Sequence, residues 1–480
     1  MASAGNTGRI IFDVTNSMYW TGPPVGIVRV EREFALWALT NLPDARFAFF
    51  DPRQMAYCVL QTDIRPFLLG DATLETLGLP DPAKPGQRKT DRAPAALRSV
   101  LLWIGRARRM LLGRLEVIRL TTMSPRLRRL SGWLQEQLMS AKYREIMVAP
   151  NGARRAFFPY QMVLGDRIDF SPSDTLICAG AGWAHTNIGA IKDLKAHIKF
   201  SFVLLCHDLI PILFPHFYLK HDVDLFQTYM REALPLADLI VVASRKTEND
   251  CRNYLKQHGI EASKIAIVPL GIDVTSGDRS AAPSLPNGLV PGRFVLMVST
   301  MEPRKGHRLL YHVWRRLAAD GVTELYGFKL VFVGRRGWMV DGLIRRIRSD
   351  TAVADQIIMI TGANDDLVNA LYNSAAFCVY PSKYEGYGLP ICEAFSRGKA
   401  VLASAGGALP ELVRGLSPCL DPDDEEAWYK LIRDWIEHPY ARAPFEDAIR
   451  GHFKHPTWSE AAKTFFAACA SSRGPLTPMR

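Results

Sequence analysis

Two stretches of the chain place charged side chains and glycines where they can do chemistry. The first is Tyr380-Pro381-Ser382-Lys383-Tyr384-Glu385-Gly386-Tyr387-Gly388-Leu389-Pro390-Ile391-Cys392-Glu393. An apolar run that reads as a buried strand ends at Tyr380 or Pro381, a glycine-containing loop follows, and Pro390 opens a helix where its missing N–H costs nothing. A loop-to-helix junction of this kind turns free backbone N–H groups and the positive dipole end outward, which suits a diphosphate. Gly386 and Gly388 let the main chain approach a ligand closely. Glu385 at the loop's mouth and Glu393 in the first turn cannot hold phosphate. They suit sugar hydroxyls, at about 1.5–3 kcal/mol for each charge-assisted hydrogen bond. The second stretch is Val298-Ser299-Thr300-Met301-Glu302-Pro303-Arg304-Lys305-Gly306, between a strand and a helix. Cations at a helix start oppose the dipole, so Arg304 and Lys305 read as binders of an anion rather than as a solvated turn.

The two stretches resemble glycosyltransferase family 4. The glutamates eight apart around Gly386-Tyr387-Gly388-Leu389-Pro390 look like its E-x7-E signature, and Glu302-Pro303-Arg304-Lys305-Gly306 looks like its E-P-R-K-G segment. The resemblance is strong over Ala266–Ala403, moderate over elements of the first half, and absent from about Pro85 to Ser140. It implies a retaining, metal-independent hexosyltransferase of the GT-B fold. That is an α/β architecture of two Rossmann-like domains facing each other across a cleft, with a C-terminal helix crossing back to the first.

By the same resemblance Glu393 binds the donor ribose, Glu385 lies against the donor sugar, and Lys305, with Arg304, neutralises the leaving diphosphate. Charge builds on that phosphate as the bond breaks, so a cation there helps the transition state most. His207, closing the strand Phe202–Cys206, matches a family histidine that contacts the donor sugar, although a structural histidine is the plain alternative. Gly386, Tyr387, Gly388 and Leu389 line the donor site. Gly26 matches a glycine loop near the donor phosphates, or is an ordinary turn before a helix. Ser299 stands where many relatives carry an arginine, whose work passes to Arg304, or to Arg335 or Arg336 after the next strand. Ser244-Arg245, Gly271 and Asp273 recur in relatives near the cleft.

The elements that must carry these residues alternate. Strands are predicted at Arg9–Val14, Ala45–Phe50, Thr175–Ala179, Phe200–Cys206, Leu239–Ala243 and Ile265–Val268, with helices at Ile27–Leu39, Val223–Leu236 and Lys246–Gln257. After a Pro/Gly/Ser-rich linker at about 276–292 the pattern restarts. Strands at Phe294–Val298, Phe328–Val333, Gln356–Ile360, Ala376–Tyr380 and Ala400–Ala403 are interleaved with helices. Such alternation indicates parallel β/α winding in both halves. The expected domains are 1–275, with a basic insertion at about 85–145, then 276–455, then a returning helix and tail at 456–480.

The chain has 480 residues and a formal charge of +11, enough length for two cores and an excess that favours an anionic partner. From Arg88 to Arg144 fourteen basic residues face three acids, a local excess equal to that of the whole chain. Leu97, Val100, Leu101, Ile104, Leu111, Leu112, Leu115 and Ile118 recur there at helical spacing, so the segment reads either as a helix for an anionic membrane surface or as a cover with solvated arginines. The eight cysteines show no C-x-x-C spacing, and neither a signal peptide nor an apolar stretch of membrane-spanning length is present. A cytoplasmic protein, either free or resting on the inner face of the cell membrane, is the expectation.

The resemblance implies no metal and no resident cofactor. The partners expected are a GDP- or UDP-linked sugar, mannosyl as first choice, and a saccharide or lipid-linked acceptor in surface polysaccharide or lipopolysaccharide assembly. A nucleotide-sugar epimerase of the same fold is the alternative. A nucleic-acid-binding protein is a weaker one, since no aromatic platform or recognised module accompanies the charge.

Overall fold

The computed structural model describes residues 8–20, 25–52, 54–70, 107, 110–111, 114–115, 118–138, 146–148, 154–156, 163–261, 264–273, 285–286 and 288–471. Most of the basic insertion and much of the expected linker lie outside these. By their contacts, the described residues within 1–205, 224–240 and 469–480 form one compact unit, and those within 206–223 and 241–468 form the other.

The first sheet is built from β1 (Ile10–Asp13), β2 (Arg46–Asp51), β3 (Ala56–Leu60), β6 (Leu164–Arg167), β7 (Thr175–Cys178), β8 (Ser201–Leu205), β9 (Leu239–Val242) and β10 (Lys264–Ile267). β4 (Ile146–Val148) and β5 (Arg154–Ala156) form a separate hairpin. The order is β10-β9-β8-β7-β1-β2-β3-β6. β1 pairs in parallel with β2 and β7, and β7 with β8. β3 runs antiparallel to β2, and β6 antiparallel to β3. The parallel winding indicated by the alternation gives way at this edge to two antiparallel strands that the sequence did not announce. Leu164-Gly165-Asp166-Arg167 is too polar to announce a strand, and it is held by a pairing partner about a hundred residues away in sequence.

At the carboxyl end of β1, polar groups are buried. The carboxylate of Asp13 accepts hydrogen bonds from the Thr15 N–H at 2.9 Å and the Tyr57 hydroxyl at 2.8 Å. Glu31, on the helix Ile27–Asn41, accepts from the Ser17 N–H at 2.6 Å. It is 1% exposed, and burial, with the neighbouring Asp13 charge, raises its pKa to about 8. Gly26 caps that helix at φ +52° and ψ −126°, a backbone state closed to residues with a β-carbon.

The second sheet contains β11 (Phe294–Val298), β12 (Lys329–Val333), β13 (Ile357–Ile360), β14 (Phe377–Tyr380), β15 (Val401–Ser404) and β16 (Cys419–Leu420), in the order β13-β12-β11-β14-β15-β16. Each of its pairings is parallel. Its strands are apolar on both faces, as a helix-covered parallel sheet requires. Leu330 and Phe332 pack into one cluster with Trp314, Trp428 and Trp435, while Val331 and Val333 pack on the other side with Tyr372, Ile391 and Phe395. The strand order reverses between β11 and β14, which in an open α/β sheet is where ligands bind, outside the carboxyl ends of the strands.

Among the described residues no helix is long and apolar enough to cross a membrane.

Candidate functional site

Both motif stretches leave the second sheet at that reversal. The residues from Ser299 to Gly306 follow β11, and those from Pro381 to Gly388 follow its neighbour β14. A 3-10 turn, Pro303–Lys305, ends at Gly306 with φ +84°. A β-carbon built on Gly306 would lie 2.4 Å from the carbonyl oxygen of Pro381, so only glycine lets the two loops touch. The Lys383 N–H donates to the Arg304 carbonyl at 2.7 Å and fixes their register. Farther along, Gly386 passes so close to His207 that a β-carbon would meet the His207 carbonyl oxygen at 2.4 Å. The Gly386 carbonyl in turn accepts from the hydroxyls of Ser244 at 2.8 Å and Thr247 at 3.1 Å. Ser244 also caps the helix Arg245–Gln257, so that helix anchors the loop.

Held this way, Glu385 receives both cations of the first loop. Lys305 Nζ stands 2.6 Å from Oε1 and Arg304 Nη1 2.8 Å from Oε2, and the Ser382 hydroxyl donates to Oε1 at 2.6 Å. Lys305 also donates to the Tyr380 hydroxyl at 3.1 Å, and Arg304 reaches Glu302 at 2.8 Å and the Tyr384 carbonyl at 2.8 Å. Lys305 is 9% exposed, Glu385 6% and Glu302 4%. Burial on its own would raise the pKa of Glu385, but Arg304 and Lys305 overcome it and hold the group at about 2. Burial raises Glu302 and Asp208 against the pull of Arg304. His307 is pushed down to about 3 by burial and by Lys305, so its imidazole is neutral. A permanently ionised carboxylate thus sits between two buried cations at the strand ends. This is a site that can take an anion on the cation side and hydroxyls on the carboxylate side.

The residues from 289 to 452 match the family model for Glycosyl transferases group 1. This stretch is similar to a group 1 glycosyl transferase domain. Among curated proteins, the chain is 23% identical over 302 residues to the serotype-specific mannosyltransferase WbdA of Escherichia coli, covering 58% of this chain and 35% of WbdA. It is 31% identical over 225 residues to the O-antigen chain mannosyltransferase B of the same organism, covering 46% of this chain and 57% of that protein. The chain therefore spans about a third of the length of WbdA. Among solved structures, Anabaena Alr3699/HepE in complex with UDP-glucose superposes with a TM-score of 0.55 at 13% identity, over 96% of this chain and 99% of that one. The architecture is the α/β GT-B class, with two sheet domains.

The motif residues divide. Lys305, Arg304 and Glu385 come together, and the His207 main chain packs on Gly386 beside them. Gly388, at φ +134°, is the residue before the helix Leu389–Phe395, and Leu389 is its first residue. The Tyr387 ring is buried instead, its hydroxyl directed at the Leu270 carbonyl at 3.4 Å and at His455 at 3.2 Å. Glu393 has a different partner from Glu385: it accepts from the Tyr372 hydroxyl at 3.0 Å. Arg335 is exposed, and its carbonyl accepts from the Met301 N–H at 2.8 Å. Arg336 pairs with Asp341. Ser299 contacts His307 Nε2 at 3.4 Å. Gly26 belongs to the other unit.

Residues that motif reading left unassigned also shape the cluster. Glu302 lies inside a quoted stretch and Asp208 directly after His207, but nothing in their spacing says that both feel the charge of Arg304. Tyr218 and Trp338 stack with centroids 5.4 Å apart, and the Trp338 indole donates to the Phe217 carbonyl at 2.7 Å. That pairing across more than a hundred residues leaves no sequence signal. Asp424 of the acidic Asp421–Asp424 turn caps the helix Glu425–Glu437.

Proposed function

We propose that the chain is a retaining hexosyltransferase that moves a sugar, mannosyl as first choice, from a GDP- or UDP-linked donor to a saccharide or lipid-linked saccharide during surface polysaccharide assembly. The observation that carries this reading is the buried Lys305–Glu385–Arg304 cluster at the strand-order reversal of a group 1 glycosyl transferase domain. The mannosyltransferase names of the curated relatives support the sugar, and the O-antigen relative supports polysaccharide assembly.

In this mechanism the β-phosphate of the donor displaces one or both cations from Glu385 and takes their charge. Glu385 then accepts hydrogen bonds from hydroxyls of the sugar, and Glu393 accepts from the ribose. As the glycosidic C–O bond breaks, Lys305 and Arg304 stabilise the charge that collects on the departing phosphate. The acceptor hydroxyl attacks from the face the phosphate leaves and gives its proton to a phosphate oxygen, which retains the anomeric configuration. His207 lies beside the transferred sugar. The protein supplies orientation and electrostatics, and no side chain becomes covalently attached.

The test is incubation of the purified chain with GDP-mannose, other GDP-sugars and UDP-sugars, together with saccharide and lipid-linked acceptors. Release of nucleoside diphosphate must require acceptor, and the anomeric proton of the product must keep the donor's configuration. Inverted product overturns the retaining mechanism. Interconversion of the donor without any acceptor overturns transfer itself.

A further inference from the structure

The helix Pro125–Leu138 is inside out. Leu127, Leu130 and Trp133 are 50%, 51% and 56% exposed, whereas Arg128 and Ser131 are 4% and 2% exposed. Steps of three residues put the apolar set along one face and the polar set on another. The polar face is bolted down by hydrogen bonds. Arg128 donates to Asn187 Oδ1 at 3.1 Å and pairs with Asp193. Asn187 donates to the carbonyls of Arg119 at 2.5 Å, Leu120 at 3.2 Å and Thr122 at 3.3 Å, and also caps the helix Ile188–Ile198. An ordinary surface helix uses its apolar stripe for attachment and turns charge to water. Here attachment is polar and the apolar stripe faces out. It does not stand alone: Met110, Leu111 and Ile118 are 61%, 46% and 44% exposed in the helical residues just before it.

We infer that this face lies on an anionic membrane surface. Charge chooses the occupant. The apolar residues belong to the segment in which fourteen basic residues meet three acids; Arg119 and Arg128 are buried, whereas Arg114 and Arg126 are exposed. Apolar side chains with an indole, flanked by arginines, enter the boundary between headgroups and acyl chains while the arginines meet lipid phosphate. A second copy of the chain is a poor occupant, since it would set the same positive excess against itself. Isolated exposed leucines are common, but six large exposed apolar residues in consecutive helical stretches are more than scattered surface residues account for. The docking is independent of the transfer chemistry, so inactive protein should bind equally well.

The experiment is co-sedimentation of the full chain with vesicles of phosphatidylcholine alone and with about a third phosphatidylglycerol, comparing wild type with the double variant Leu130→Glu, Trp133→Glu. Both sites are exposed, so the thermal melt should not move. The expected result is at least tenfold stronger binding to the anionic vesicles, weakened by salt, and at least a tenfold loss in the double variant. Trp133→Phe, which keeps an apolar ring, should retain binding but lose most of the blue shift in tryptophan emission that vesicles cause. Equal binding of wild type and double variant overturns the inference, as does binding that ignores lipid charge. A wild-type dimer that the double variant splits also overturns it, because the face would then be covered by a second copy.

Discussion

Replacing Glu385 by glutamine separates two things that the carboxylate does. The amide keeps the size and one acceptor oxygen but loses the charge that faces Lys305 at 2.6 Å and Arg304 at 2.8 Å. Removing one member of a buried ion pair costs about 3–5 kcal/mol, because its partners stay buried with less compensation. At about 2–4 °C per kcal/mol for a domain of this size, the melting temperature should fall by roughly 6–20 °C. The pH dependence has a definite sign. Glu385 titrates at about 2 when folded against an ordinary 4.5, so its contribution is complete above the unfolded pKa and disappears as pH falls toward 2. The gap between wild type and variant should therefore be full at pH 6 and shrink steadily below pH 4.5.

Nucleotide binding should move the other way. In the wild type a diphosphate must draw Lys305 off a charge-assisted bond worth about 1.5–3 kcal/mol. In Glu385→Gln that competition is gone, and at about 1.4 kcal/mol per tenfold the variant should bind GDP or UDP roughly 10- to 100-fold more tightly. Sugar transfer should nevertheless collapse. Isothermal calorimetry with the bare nucleotides, beside a transfer assay, reads both. A variant that binds neither nucleotide more tightly than wild type refutes the reasoning: Lys305 and Arg304 would then serve only as counter-ions to Glu385.

Lys305→Ala should lower kcat/KM for transfer by about 10²- to 10³-fold, the scale for losing one preorganised charge at a developing anion, with an unchanged near-UV dichroism spectrum. Normal turnover would remove Lys305 from the mechanism. Glu393→Ala should abolish most transfer by weakening donor binding, seen as a raised KM for the donor; an unaltered KM contradicts a ribose contact. Gly386→Ala should lose both activity and thermal stability, because the added carbon meets the His207 carbonyl at 2.4 Å; a variant that melts and turns over like wild type disproves the close approach. Glu31→Gln should stabilise the fold at pH 8. The buried acid keeps its proton up to about pH 8 while the unfolded chain releases it near 4.5, so wild-type stability declines across that window, by several kcal/mol at about 1.4 per tenfold in acidity. Urea melts of wild type and variant that run parallel from pH 5 to 8 would contradict this.

Strands with uninterrupted apolar runs, such as Phe294–Val298 and Phe377–Tyr380, could be read directly, because burial on both faces writes itself into local composition. The motif loops were equally legible, since their glycines and charged residues fall together in short stretches, although the contacts that demand Gly306 and Gly386 are with Pro381 and His207, far away in sequence. What local pattern could not show was pairing at a distance. The antiparallel edge strand Leu164–Arg167 carries no stripe, and the sharing of Arg304 between Glu302 and Glu385 depends on two strands nearly eighty residues apart lying side by side. Which face of the helix Pro125–Leu138 is held inward was illegible for a related reason. Its sequence shows an amphipathic segment, but only Asn187 and Asp193 decide which face is held inward.

The Gly386 carbonyl oxygen has two lone pairs, and Ser244 and Thr247 fill both. Such doubling makes the seat of the neighbouring glutamate tolerant of mutation. A lineage can shed either alcohol and still keep the loop in register, but shedding both frees it. Across diverged copies of this gene these two positions should therefore drift singly and almost never be emptied together, a trace of redundancy that comparative sequencing can read without purifying any protein.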